Sequence, residues 1–112
     1  MKYLLVLILS LTIIITACSS DITPGKFDSF AKCLTEKNVT MYGTTWCSHC
    51  NAQKKLFGNS FQYIDFVDCD KTPGTCKIAG VEGYPTWHVN GTNYPGEQTF
   101  YNLAKNSGCK IE

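Results

Sequence analysis

The sequence predicts one α/β domain built on a mixed central sheet, and three observations lead there. Short β-rich runs alternate with stretches of helical spacing from Phe27 onward, the last two runs flank an Asn-Gly pair, and the whole chain has only 112 residues. Alternating strands and helices argue parallel pairing, a terminal hairpin adds antiparallel pairing, and a chain this short holds a single core. An apolar fraction of 44% with 17% charged residues fits a packed domain, not a disordered one.

Each element has its own signal. Phe27, Phe30, Ala31 and Leu34 recur at helical spacing with Asp28 near the start, so 27–37 reads as an amphipathic helix. Residues 39–43 form a short β-rich run that ends in glycine. A helix over 47–57 carries Ala52, Leu56 and Phe57 and is closed by Gly58-Asn59. The stretch 61–67 is apolar enough for a buried parallel strand. A polar loop over 68–74 leads to a single helical turn at 75–79, stopped by Gly80. Strands 85–89 and 92–94 flank Asn90-Gly91, a pair that suits a two-residue hairpin turn. Residues 97–106 close the domain as a helix with Phe100, Leu103 and Ala104 on one face.

Ten lysines, no arginine and nine acids give a formal charge of +1. Without residues 1–17, which hold only Lys2, the balance is nine against nine. A neutral chain without arginine lacks the electrostatic footprint of a nucleic-acid binder.

The N-terminus sets the compartment. Lys2 is followed by an apolar run over 3–15 and then Thr16-Ala17-Cys18. As a helix that run reaches about 20 Å, short of the ~30 Å of a bilayer core, and its layout is that of a secretory signal peptide. Ile15-Thr16-Ala17-Cys18 also resembles a bacterial lipobox, in which the cysteine is lipidated and becomes the new N-terminus. The expected organisation is a leader over 1–17 cleaved before Cys18, a polar tether over 18–26 and a folded domain over 27–112. An ordinary signal peptide and an uncleaved anchor are the alternatives. All three deliver the domain outside the cytoplasm, where disulfides persist.

Seven cysteines are the most informative residues. Cys47 and Cys50 stand just after a strand, at the start of a helix. At i and i+3 they share one helical face, close enough to form and break a disulfide with little backbone movement. A thiolate on the first turn meets unsatisfied N–H groups and the positive end of the helix dipole, which favour charge on Cys47. His49 between them is expected to add to this, making the reduced form more stable and the pair more oxidising. A zinc site needs a second close pair, and Cys69-x6-Cys76 falls outside that spacing, so no metal is expected. His88 reads as an outward-facing strand residue.

The segment 41–50, Met-Tyr-Gly-Thr-Thr-Trp-Cys-Ser-His-Cys, with Gln53-Lys54-Lys55-Leu56-Phe57-Gly58, resembles the thioredoxin superfamily. More narrowly, it resembles the thioredoxin-like domains fused to bacterial vitamin K epoxide reductase homologues. Residues 76–87, which include Gly83-Tyr84-Pro85-Thr86, and the following Asn90-Gly91 extend the likeness over roughly 27–108. The Trp-Cys-x-His-Cys and Gly-Tyr-Pro-Thr pieces are also similar to protein disulfide isomerase domains. The resemblance implies that Pro85 is a cis-proline facing the active pair and that Tyr84 offers backbone groups to an extended substrate. Trp46, Tyr84 and Pro85 would then shape an apolar docking patch. One departure stands out. Many thioredoxins carry a buried acid six positions before the first active cysteine, as proton acceptor for the second, and here that position is Met41.

Besides Cys18 and the active pair, Cys33, Cys69, Cys76 and Cys109 remain, and four cysteines allow three pairings. The resemblance implies Cys69–Cys76, which leaves Cys33–Cys109. The function expected is therefore a membrane-tethered, extracytoplasmic thiol–disulfide oxidoreductase, monomeric and without a metal or organic cofactor. Cys47 is its nucleophile and Cys50 its resolving thiol. The partners implied are protein thiols and a separate quinone-linked, vitamin K epoxide reductase-like membrane protein. A reductase or isomerase fed by a membrane electron carrier is one alternative. A non-catalytic lipoprotein binding module is another.

Overall fold

The computed structural model describes residues 23–112. The leader expected over 1–17, the lipidation site Cys18 and the first part of the tether lie outside the described residues. The elements run α1 (Asp28–Glu36), β1 (Thr40–Gly43), α2 (Ser48–Phe57), a 3-10 helix (Gly58–Tyr63), β2 (Asp65–Asp68), α3 (Pro73–Ile78), β3 (Thr86–Val89), β4 (Thr92–Pro95) and α4 (Phe100–Ser107). The sheet order is β2-β1-β3-β4. β1 pairs parallel to β2 and antiparallel to β3, and β3 pairs antiparallel to β4. This four-stranded mixed sheet with flanking helices is a thioredoxin-like α/β fold.

The register places Met41 of β1 between Phe66 of β2 and Trp87 of β3. Met41 and Trp87 are fully buried, with Phe30 and Leu34 of α1, Phe57 of α2 and Leu103 of α4 in the same core. Phe57 is its hub, with ring centroids 4.7 Å from Phe100, 6.0 Å from Trp87 and 6.2 Å from Phe30. Such aromatic packing supplies large apolar area at each contact, which a small domain needs.

The Asn90-Gly91 turn forms as the dipeptide requires, with positive φ at both residues (49° and 78°). Gly108 ends α4 in the left-handed region at φ 80°.

The sequence reading of 61–67 as one strand needs correction. Gly58, at φ 55°, ends α2, and the chain continues as a 3-10 helix to Tyr63 before β2 begins at Asp65. Hydrogen bonds to α1 and its lead-in hold that helical turn. The Ser60 hydroxyl accepts from Phe27 N–H at 2.8 Å and donates to Asp28 Oδ1 at 2.8 Å. The Thr35 hydroxyl donates to Tyr63 C=O at 2.6 Å and accepts from Asp65 N–H at 3.2 Å. Apolar content at 61–64 thus packs a helical turn against a helix. β2 itself is a sheet edge whose residues are exposed or half-buried, not a strand buried on both faces.

Two boundaries also shift. The closing helix begins at Phe100, capped by the Thr99 hydroxyl accepting from Asn102 N–H at 3.1 Å, which leaves Glu97 and Gln98 in the preceding loop. Gly25, expected in the tether, is docked on the domain. Its N–H donates to the Asp28 carboxylate at 3.0 Å, and a Cβ at Gly25 would collide with Ser60.

Candidate functional site

The site forms where β1 ends and α2 begins. Cys47 is the N-cap of α2, and its sulfur accepts a hydrogen bond from Cys50 N–H at 3.2 Å. A capping thiol thereby takes the place usually held by a Ser or Asp oxygen, and a helix amide points at sulfur where negative charge develops. The Cys47 thiol also donates to Tyr84 C=O at 3.6 Å, across the cis Tyr84–Pro85 peptide bond. Cys47 retains 8% exposure and Cys50 none. Both thiols are free, whereas Cys33–Cys109 and Cys69–Cys76 are bridged.

The two sulfurs differ electrically. Burial pushes the Cys50 thiol up to about 11 from an ordinary 9.0; its side-chain hydrogen bond to Cys47 and the Cys47 charge act in the same direction. The Thr44 backbone and Lys54 pull it partly back. Cys50 therefore holds its proton at neutral pH, leaving Cys47, the less deeply buried of the two, to react first. Gly43 makes this packing possible, since a Cβ there would lie 2.7 Å from Cys50 Sγ.

The residues around the pair divide into an exposed aromatic face and supports. Trp46 is 68% exposed, packs edge-on against Tyr84 at 6.3 Å, and donates its indole N–H to Asp70 at 2.6 Å. Asp70 follows Cys69, so the Cys69–Cys76 bridge steadies the loop that orients Trp46. His49 lies 2.8 Å from the Glu97 carboxylate through Nδ1 and is well exposed. Its Nδ1 is thus engaged by Glu97, while the Cys47 sulfur is bonded to Cys50 N–H and Tyr84 C=O. His88 is half-buried and bonds Asn93 across the hairpin at 2.7 Å. Among the described residues no cluster of His, Cys, Asp and Glu is arranged to hold a metal ion.

Sequence reasoning missed Glu97, Asp70 and Gln53. Gln53 is fully buried, accepts from Trp87 Nε1–H at 3.0 Å and from Gln98 N–H at 2.7 Å, and donates to Gln98 C=O at 3.0 Å. It ties α2 to the loop that carries Glu97. A polar residue at i+3 from Cys50 in an otherwise inward position was the only available signal.

Fold and site together define a thioredoxin-like domain with a free Cys-x-x-Cys dithiol at a helix N-terminus. No family model matches the chain. The thiol-disulfide oxidoreductase LTO1 of Arabidopsis thaliana is 33% identical over 106 residues, covering 87% of this chain and 28% of the plant protein. A protein disulfide-isomerase of Arthroderma benhamiae is 32% identical over 81 residues, covering 63% of this chain and 15% of that protein. The chain spans less than a third of the length of either relative. The chain is thus similar over most of its length to part of a thiol-disulfide oxidoreductase and to part of a protein disulfide-isomerase.

Proposed function

We propose that the protein is an extracytoplasmic thiol–disulfide oxidoreductase acting on protein thiols, tethered to a membrane through a lipidated Cys18. The observation that carries the chemistry is the unequal pair: Cys47 caps α2 and keeps 8% exposure, and Cys50 lies fully buried with its proton held. In the oxidising direction a substrate thiolate attacks the Cys47–Cys50 disulfide at Cys47. A substrate–Cys47 bond forms and Cys50 leaves as a thiol after taking a proton from solvent. A second substrate thiolate then displaces Cys47, so the substrate gains a disulfide and the pair ends reduced. Reoxidation passes two electrons to a membrane partner, for which a quinone-linked, vitamin K epoxide reductase-like protein is the class the sequence resemblance supplies. Trp46 and Tyr84 form the docking face, and Tyr84 C=O stands beside the reacting sulfur.

The reductase or isomerase direction draws on a separate observation. Glu97 neutralises the charge His49 would offer the pair, which favours a less oxidising couple. The reduction potential in a glutathione buffer decides direction: near about −120 mV is oxidase-like and near about −270 mV is reductase-like. Insulin reduction or oxidative refolding of a reduced substrate tests the activity itself. Cys47→Ser is expected to lower either rate by about a thousandfold or more, because an alcohol does not replace a thiolate nucleophile. Retained activity in that variant removes Cys47 from the mechanism.

A further inference from the structure

When Cys50 itself resolves a mixed disulfide at Cys47, as in the reducing direction or in release of a trapped substrate, it must give up its proton, and Met41 occupies the position where an acid would assist. Met41 is fully buried and cannot take a proton. Besides the Thr44 backbone bond, a cationic side chain of α2 itself bears on the buried sulfur. Lys54 stands at i+4 from Cys50, on the same helical face, and a residue at i+4 leans back toward the helix N-terminus. Its stem is half-buried, and its ammonium lies 4.1 Å from the Phe66 ring centroid and 5.5 Å from that of Phe61. The same Phe66 ring approaches Gly43 from the side of Cys50: a Cβ placed on Gly43 would lie 2.7 Å from Cys50 Sγ and 3.2 Å from Phe66 Cε2, so sulfur and ring flank the same glycine.

Building on the proposed function, we infer that Lys54, clamped on the faces of Phe61 and Phe66, is the fixed positive charge that stabilises the Cys50 thiolate while it resolves the mixed disulfide. The cation–π contacts hold the ammonium beside the pocket. Burial of Cys50 gives that charge weight it would lack in water. Lys54 accepts no proton. The Cys50 proton leaves to solvent, the Cys50 thiolate attacks Cys47 of the mixed disulfide, the Cys47–Cys50 bond forms, and the substrate departs as a thiolate that solvent protonates. The downward influence of Lys54 on Cys50 agrees with this role. Among the described residues the ionisable groups acting on Cys50 are Cys47 and Lys54, beside the Thr44 backbone bond, and Gly43 of β1 approaches its sulfur without a side chain. The β2 carboxylates are engaged elsewhere, Asp65 with the Thr40 hydroxyl and Asp68 with Asp70 N–H.

The test uses the full chain in detergent, reduced, with Cys18→Ser so that Cys47 and Cys50 are the thiols that react. Mixing with 5,5′-dithiobis(2-nitrobenzoate) releases one nitrothiolate when Cys47 is captured and a second when Cys50 resolves the mixed disulfide. The protein dithiol is oxidised to a disulfide while the probe is reduced to two thiolates. In Lys54→Met the first release is expected to match that of the unsubstituted chain. The second is expected to slow about tenfold at neutral pH, and its rise with pH to move to higher pH, because the thiolate has lost its counter-charge. Lys54→Arg, which keeps charge and ring stacking, should restore the second release to within about threefold. If Lys54→Met does not fold, Lys54→Gln serves in its place. A second release unchanged in rate and pH profile overturns the inference, as does equal slowing in the Met and Arg variants. Absence of the first release in the chain with Lys54 intact would instead sink the proposed function, and this inference with it.

Discussion

Two kinds of cysteine pair share this small domain, and their placement separates locking from exchange. Cys33 and Cys109 are 76 residues apart and join α1 to the segment after α4, while Cys69 and Cys76 close the short loop between β2 and α3. Both pairs fasten backbone segments that the sheet does not hold. Cys47 and Cys50 fasten nothing, because one helical turn already sets their separation. Their bond constrains little of the unfolded chain, so it can open without loosening the fold. Sulfur chemistry is the same in all three; what differs is what the backbone around each bond depends on.

The comparison can be broken from the structural side first. Cys33→Ser with Cys109→Ser frees a loop of roughly 77 residues and is expected to cost about 4.5 kcal/mol in the chain-entropy treatment, whereas Cys69→Ser with Cys76→Ser should cost about 2.5 kcal/mol. Denaturant midpoints measure both. The smaller change should also blunt substrate docking, because Asp70 beside Cys69 holds the Trp46 indole. Losses in the reverse order would show that the long bridge holds little.

A pH titration sharpens the same contrast on the exchanging side. The folded dithiol keeps the Cys50 proton up to about 11, against 9.0 ordinarily, so the unfolded chain releases it first. Stability from this source is full below about pH 9 and is lost as pH rises toward about 11, by about 3 kcal/mol at most. Unfolding of the reduced protein, compared with Cys50→Ala across that range, should show the extra loss only where Cys50 is present. A parallel decline in both would place the sensitivity on other groups.

Much of this was legible in the chain and the remainder has physical reasons. Asn90-Gly91 dictates its turn because few other residues accept positive φ twice in succession. The Cys47-x-x-Cys50 pair announces itself through its spacing together with the strand before it, the helix after it and Trp46 beside it. Residues 61–63 misled because Phe61 and Tyr63 suit a strand, while the Ser60 hydroxyl ties the turn to Phe27 and Asp28 and the Thr35 hydroxyl bonds Tyr63 C=O. Neither hydroxyl carries a pattern along the sequence. Glu97 was hidden for another reason: His49 and Glu97 meet only once the loop before α4 folds back over α2, a contact 48 residues apart. Gln53 secures that fold-back, and its inward position at i+3 from Cys50 is the one local sign that sets it apart from a solvated helix residue.

The central claim is that one helix start makes neighbouring thiols unequal, one reacting and one held in reserve. A brief pulse of iodoacetamide on the folded, reduced chain at neutral pH, read by peptide mass spectrometry, tests it directly. Alkylation should fall on Cys47 and leave Cys50 unmodified until the protein is unfolded. Equal labelling of the two, or labelling of Cys50 first, would contradict the account.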